Sequence, residues 1–125
     1  MVKYNSSGVK QWTRQLGTAS HDLGSDITTD SSGNVYLTGY TAGSLDGNAS
    51  AGTWDLFVVK YNSSGVKQWT QQLGTSSSET GYDITSDSSG NVYVTGTTQG
   101  GLDGNTNAWS SDLFVVKYDI NGNKQ

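Results

Sequence analysis

Val-Lys-Tyr at 2–4 returns at 59–61 and again at 116–118, in two steps of 57 residues. Aligned without gaps, residues 2–57 and 59–114 agree at 40 of 56 positions. The shared unit holds Gly-Val-Lys-Gln-Trp-Thr (8–13, 65–70), Asp-Ser-Ser-Gly-Asn-Val-Tyr (30–36, 87–93), Leu-Asp-Gly-Asn (45–48, 102–105) and Asp-Leu-Phe-Val-Val-Lys-Tyr (55–61, 112–118). A period of this kind means copies of one supersecondary unit that bury their apolar faces by stacking. It leaves no room for a separate domain or linker. Identity this high implies recent duplication, selection for sameness, or engineering.

The unit is built for strands. Gly, Ser, Thr and Asn make up 59 of the 125 residues, there is no Pro, and 10% of the chain is aromatic. Thr, Tyr, Val and Gly with little Leu or Ala favour strands and tight turns over helices. One period reads as four strands. Strand A is expected at 82–86, followed by a turn at 87–91 in which Gly90 is free to take positive φ. Strand B follows at 92–98, then a long loop at 99–111, strand C at 112–118 and a turn at 119–122. Strand D is seen in full in the preceding copy, at 66–73.

In 56–61, Leu56 and Val58 fall on one face while Phe57, Val59 and Tyr61 fall on the other. Likewise Val92 and Val94 oppose Tyr93. A sheet with one wet face would alternate apolar with polar residues. These middle strands are apolar on both faces, so each small sheet must be covered on both sides.

The pattern Asp-Ile-Thr-x-Asp-Ser-Ser-Gly-Asn-Val-Tyr-x-Thr-Gly, then Asp-Leu-Phe-Val-Val-Lys-Tyr-x-x-x-Gly-x-Lys-Gln-Trp, resembles the bacterial SBBP-type β-propeller repeat. The resemblance covers the chain as two copies and a partial third. It implies four-stranded antiparallel propeller blades, a setting in large extracellular or surface proteins of bacteria, and no catalytic residues. Physical reasoning reaches the same all-β architecture. An immunoglobulin-type sandwich needs about 100 residues and seven strands. A solenoid repeat typically runs to about 20–30 residues.

Known propellers have about four to eight blades, and this chain holds two. The complete blade is expected at about 25–73 and a second at about 82–125, within a single module 1–125. The expectation is that the ring is completed by homo-oligomerisation, with the second blade accepting the N-terminal D strand of a neighbour. A trimer then gives six blades and a tetramer eight. The assembly residues expected are Val9, Trp12 and Leu16 on the donated strand, and Leu113, Phe114 and Val116 on the accepting one. Residues 2–5 and 116–119 duplicate strand C and compete for one place; the N-terminal copy lacks the Leu-Phe start and is expected to yield. The alternative is a fragment with fraying ends.

The charge sum of −4 offers no basic stripe for nucleic acid. No apolar run approaches the roughly 18 residues of a membrane span, and no signal peptide is visible. Without Cys there is neither disulfide nor thiolate site. An enzyme is not expected: the one histidine, His21, has Ser78 as its repeat counterpart, and a Ser-His-Asp set cannot be built on it.

Other candidates each have a structural reading beside the functional one. Trp12 and Trp69 on strand D are expected to pack between blades. Trp54 and Trp109 lie in the long loop, out of register with each other, and are the ligand-binding candidates. Asp103, Asn105, Asn107 and Asp112, with Asp46, Asn48 and Asp55 in the other copy, space oxygen ligands as a calcium loop does, though no bidentate Glu closes the set. The competing reading is Asx-turn formation. No other cofactor is expected. Asp26, Asp30, Asp83 and Asp87 flank strand A, nearest the propeller axis, as a channel mouth or as turn caps. The first functional reading is therefore a non-enzymatic, self-assembling structural protein whose partner is itself. The runner-up is a carbohydrate- or peptide-binding propeller with one site per blade.

Overall fold

The computed structural model describes residues 1–125. Nine strands run in chain order: β1 (Val2–Tyr4), β2 (Lys10–Thr13), β3 (Asp22–Thr29), β4 (Val35–Thr41), β5 (Asp55–Tyr61), β6 (Lys67–Leu73), β7 (Glu79–Ser86), β8 (Val92–Thr98) and β9 (Asp112–Tyr118). They form three antiparallel sheets in which sequence neighbours pair: β1-β2, β3-β4-β5-β6 and β7-β8-β9. The middle sheet is a complete four-stranded blade. The last holds the equivalents of its first three strands, and the first is a hairpin.

The turns explain this meander. In Asn62–Gly65 the Asn62 side chain accepts hydrogen bonds from the Ser64 and Val66 amides at 3.1 and 2.9 Å, and Gly65 takes φ 76°. Asp30, Asp87 and Asp119 open turns with the same pattern of side-chain acceptance. A short acidic or amide side chain thus folds the backbone back, and a glycine supplies the left-handed residue.

Strand A is longer than the residue pattern indicated. β7 begins at Glu79, because Glu79, Thr80 and Gly81 pair with Thr98, Thr97 and Gly96 before a bulge between Gly81 and Asp83. The same bulge lies between Gly24 and Asp26 in β3. A bulge shifts the alternation of faces by one residue, which hides the strand from a period-two reading. The long loops also carry short 3-10 turns, at Leu45–Gly47 and Leu102–Gly104. These bury Leu45 and Leu102 beneath the blade.

The core lies between the sheets. Leu56 and Val58 of β5 face the last sheet and join Ile84, Val94, Phe114 and Val116. Phe57, Val59 and Tyr61 face the other way, with Met1 and Leu16 packed on them from the hairpin. Trp69 sits between blades, 6.0 Å from the Tyr36 ring and 6.3 Å from Tyr118, and its indole N–H donates to the Ile120 carbonyl at 3.1 Å. The buried Lys60 ammonium donates to the same carbonyl at 2.9 Å. The hairpin repeats this clamp one blade earlier: Trp12 and Lys3 both donate to the Ser63 carbonyl.

Candidate functional site

Two surfaces of the chain are open where their repeat counterparts are closed. On β9, Leu113 is 83% and Val115 64% exposed, while Leu56 and Val58, one repeat earlier, are fully buried. The β9 edge that corresponds to the β5–β6 pairing carries only the Tyr118–Lys124 bridge at its end and is otherwise without a partner strand. At the other end of the chain, Leu23 and Ile27 of β3 are 43% and 49% exposed, whereas Ile84, the counterpart of Ile27, is 4% exposed. These residues border a cavity of about 450 Å3 floored by Leu37, Leu45 and Phe57. One surface is the apolar face of a blade; the other is a cavity that the hairpin lines in part through Met1, Val2 and Leu16.

The chain's own packing already engages some of the expected assembly residues. Phe114 and Val116 point into the chain's own core, so their side chains already have a partner. Val115, which strict alternation places beside Leu113, carries the open face instead. Val9 is 57% exposed, but Val66 is 55% exposed within the complete blade, so completing a blade does not bury this position. Trp12 and Leu16 are half-buried against the neighbouring blade.

The duplicated strand C is held at both ends. Val2, Lys3 and Tyr4 pair with Thr13, Trp12 and Lys10, the register in which Val59, Lys60 and Tyr61 meet Thr70, Trp69 and Lys67. On β9, Tyr118 bridges Lys124, and the Gln125 amide donates to the Lys117 carbonyl at 2.9 Å. In the single chain, short segments thus occupy the strand positions that the two ends have in common.

The loop carboxylates are spread among local partners rather than gathered round one centre. Asp46 pairs with Lys67 and accepts from Thr70, and Asp103 pairs with Lys124. Asp55 accepts from the Ala51 and Gly52 amides and from Gln72, and Asp112 accepts from the Ala108 amide. Asn48 and Asn105 donate to the Leu45 and Leu102 carbonyls, and Asn107 to that of Thr98. No group of three His, Cys, Asp or Glu stands where it could hold a metal ion.

Between β3 and β7, Asp26 reaches across to the next blade and accepts from the Ile84 amide at 3.0 Å. That hydrogen bond holds its carboxyl below the ordinary 3.8, while the neighbouring Asp26 pushes Asp83 above it. Asp30 and Asp87 cap their turns and accept from the Tyr36 and Tyr93 hydroxyls.

Trp54 and Trp109 lie in unlike surroundings. Trp109 is 86% exposed. Trp54 is half-buried and forms a parallel bridge with Ser78, and its carbonyl accepts from the Glu79 amide at 2.7 Å. Gly52 explains the difference. A Cβ there would lie 2.1 Å from the Ser77 carbonyl oxygen, and the residue one repeat later is Trp109. The second loop cannot follow the first loop's course over a neighbouring blade. Trp54 instead meets Tyr40, which the sequence reading did not single out, edge-on with ring centroids 5.2 Å apart, and His21, weighed there only for catalysis, at 6.4 Å. The signal for them lay in the alignment, since His21, Tyr40 and Trp54 stand opposite Ser78, Thr97 and Ser111.

Stacked, four-stranded antiparallel units with apolar faces on both sides define propeller blades. The family model of the SBBP beta-propeller repeat matches residues 11–46 and 68–103, and the chain belongs to this family. It is also similar to an uncharacterized WD repeat-containing protein of Acanthamoeba polyphaga mimivirus, 34% identical over 66% of the chain and 7% of that protein. A second relative is the regulatory protein FlaEY of Caulobacter vibrioides, 28% identical over 98% of the chain and 14% of that protein. The chain therefore spans only a small part of these relatives' length. No helix is long and apolar enough to cross a membrane.

Proposed function

We propose that the chain is a non-enzymatic propeller module that builds a closed ring from copies of itself. The supporting observation is the exposure of Leu113 and Val115 beside the full burial of Leu56 and Val58. The open β9 face and the cavity over Leu37, Leu45 and Phe57, which the hairpin's Met1 and Leu16 partly cover, correspond to the two halves of the junction already closed between the chain's own blades. Burying a Leu or Val side chain is worth about 1.5–3 kcal/mol, and pairing the β9 edge removes an aggregation template. In the ring, β2 of one copy lies beside β9 of the next, and one of the two strand C duplicates is displaced. Three copies make six blades and four make eight. The loop carrying Trp109 takes its own path at the junction between copies.

The register of the complete blade supplies a test. Leu56 and Leu73 are directly opposed, so Leu113 of one copy should oppose Leu16 of another. The unmodified chain has no Cys. With Leu16→Cys and Leu113→Cys introduced together, oxidation should join copies into a covalent ladder that ends at three or four. Thr13→Cys with Leu113→Cys is out of register and should cross-link poorly. Equal cross-linking of the two pairs, or none by the first, would overturn the reading.

A further inference from the structure

We infer that His21, Tyr40 and Trp54 form a platform for a neutral sugar, one per chain rather than one per blade. The repeat serves as an internal control. Ser78, Thr97 and Ser111 hold the equivalent positions in the second blade, and β7, β8 and β9 form there with the same pairing. The fold therefore does not require aromatic residues at these places. Yet three such departures, drawn from separate segments of the chain, meet at one end of a single blade.

Their arrangement suits a ligand that is apolar on one side and hydroxylated on the other. Trp54 lies edge-on to Tyr40 and tilted against His21. Its backbone is anchored by the Ser78 bridge and the Glu79 amide, so the loop that carries the ring is ordered before any ligand arrives. Neither the Tyr40 hydroxyl nor the His21 imidazole has a hydrogen-bond partner in the chain, and neither is a buried unpaired group, so both reach water. An aromatic cluster whose hydroxyl and imidazole have no partner in the chain matches the C–H face and the hydroxyls of a pyranose. The cluster holds no Lys or Arg to neutralise an acidic sugar. All three side chains belong to one blade of one chain, so the platform does not depend on ring closure.

The test titrates the chain with soluble gluco-, manno-, xylo- and N-acetylglucosamine oligosaccharides by calorimetry. At least one series should bind saturably. The variant His21→Ser/Tyr40→Thr/Trp54→Ser installs the residues of the second blade and should fold with an unchanged far-ultraviolet spectrum. It should bind the same sugar about tenfold more weakly, or worse. Trp109→Ser should bind as the unmodified chain does. Binding should also survive in Leu113→Asp, which breaks the proposed ring junction, so the two proposals fail separately. No binding in any series, or equal binding by the triple variant, would overturn the inference. So would capture of a proline-rich peptide in place of every sugar.

Discussion

Leu56 and Leu113 hold the same place in consecutive repeats, and the first is fully buried while the second is 83% exposed. The difference is one of neighbours: Leu56 has the chain's second blade against it, and Leu113 has water. Leu113→Asp is therefore expected to leave the folded chain intact and to abolish association. Circular dichroism should be unchanged and light scattering should give the single-chain mass. Leu56→Asp buries an unpaired charge and should unfold the chain.

Gly65 and Gly122 lie under the Trp12 and Trp69 rings, and a Cβ at either would come within 2.8 Å of the indole. Both also have positive φ, of 76° and 86°. Alanine in the left-handed region costs about 1–2 kcal/mol on backbone grounds alone. Gly47 has φ 81° and nothing within 4 Å of a built Cβ, so Gly47→Ala should show the backbone cost by itself. Gly65→Ala should lower the urea midpoint further, because the Trp12 clamp on the next blade must also shift.

Glu79 is fully buried and accepts hydrogen bonds from the Thr75 amide, the Thr75 hydroxyl and the Thr98 hydroxyl at 2.6, 2.7 and 2.6 Å. Asp22 serves the equivalent three donors, from Thr18 and Thr41, in the first blade. Glu79→Ala strands these donors, each at about 1–3 kcal/mol. Glu79→Asp should be much milder, because the other repeat already closes the same network with the shorter acid. Denaturant unfolding of the two variants checks the order.

Asp26, Asp87 and Asp119 have carboxyls held below the ordinary 3.8, chiefly by the Ile84 amide, Asn91 and Asn123 respectively. A depressed folded pKa gives stability that is complete above the unfolded value and lost as pH falls through the folded one. The urea midpoint should thus drop below about pH 4. Asp83 has the opposite sign, since Asp26 raises it. Asp83→Asn should stabilise the chain at neutral pH, and the gain should vanish as pH falls through the raised Asp83 value.

The blade architecture was legible because the repeat and the two-sided apolar pattern of 56–61 and 92–96 leave few other folds. Strands β8 and β9 begin and end where alternation places them. β7 was read short because its first residues, Glu79, Thr80 and Gly81, look polar and precede a bulge. At β9 the apolar run Leu113–Val116 does not by itself show which side chains stay open. Alternation separates Leu113 and Val115, which are exposed, from Phe114 and Val116, which are in the core. The aromatic cluster escaped because its members are 19 and 14 residues apart, numbered 21, 40 and 54. Pairing of β3, β4 and β5 is what brings them together.

Native mass measurement of the unmodified chain tests the central claim most directly. Three or four times 13.2 kDa is expected, with no larger species, since a closed ring leaves no free edge. A folded β-sheet spectrum with a mass of 13.2 kDa would contradict it.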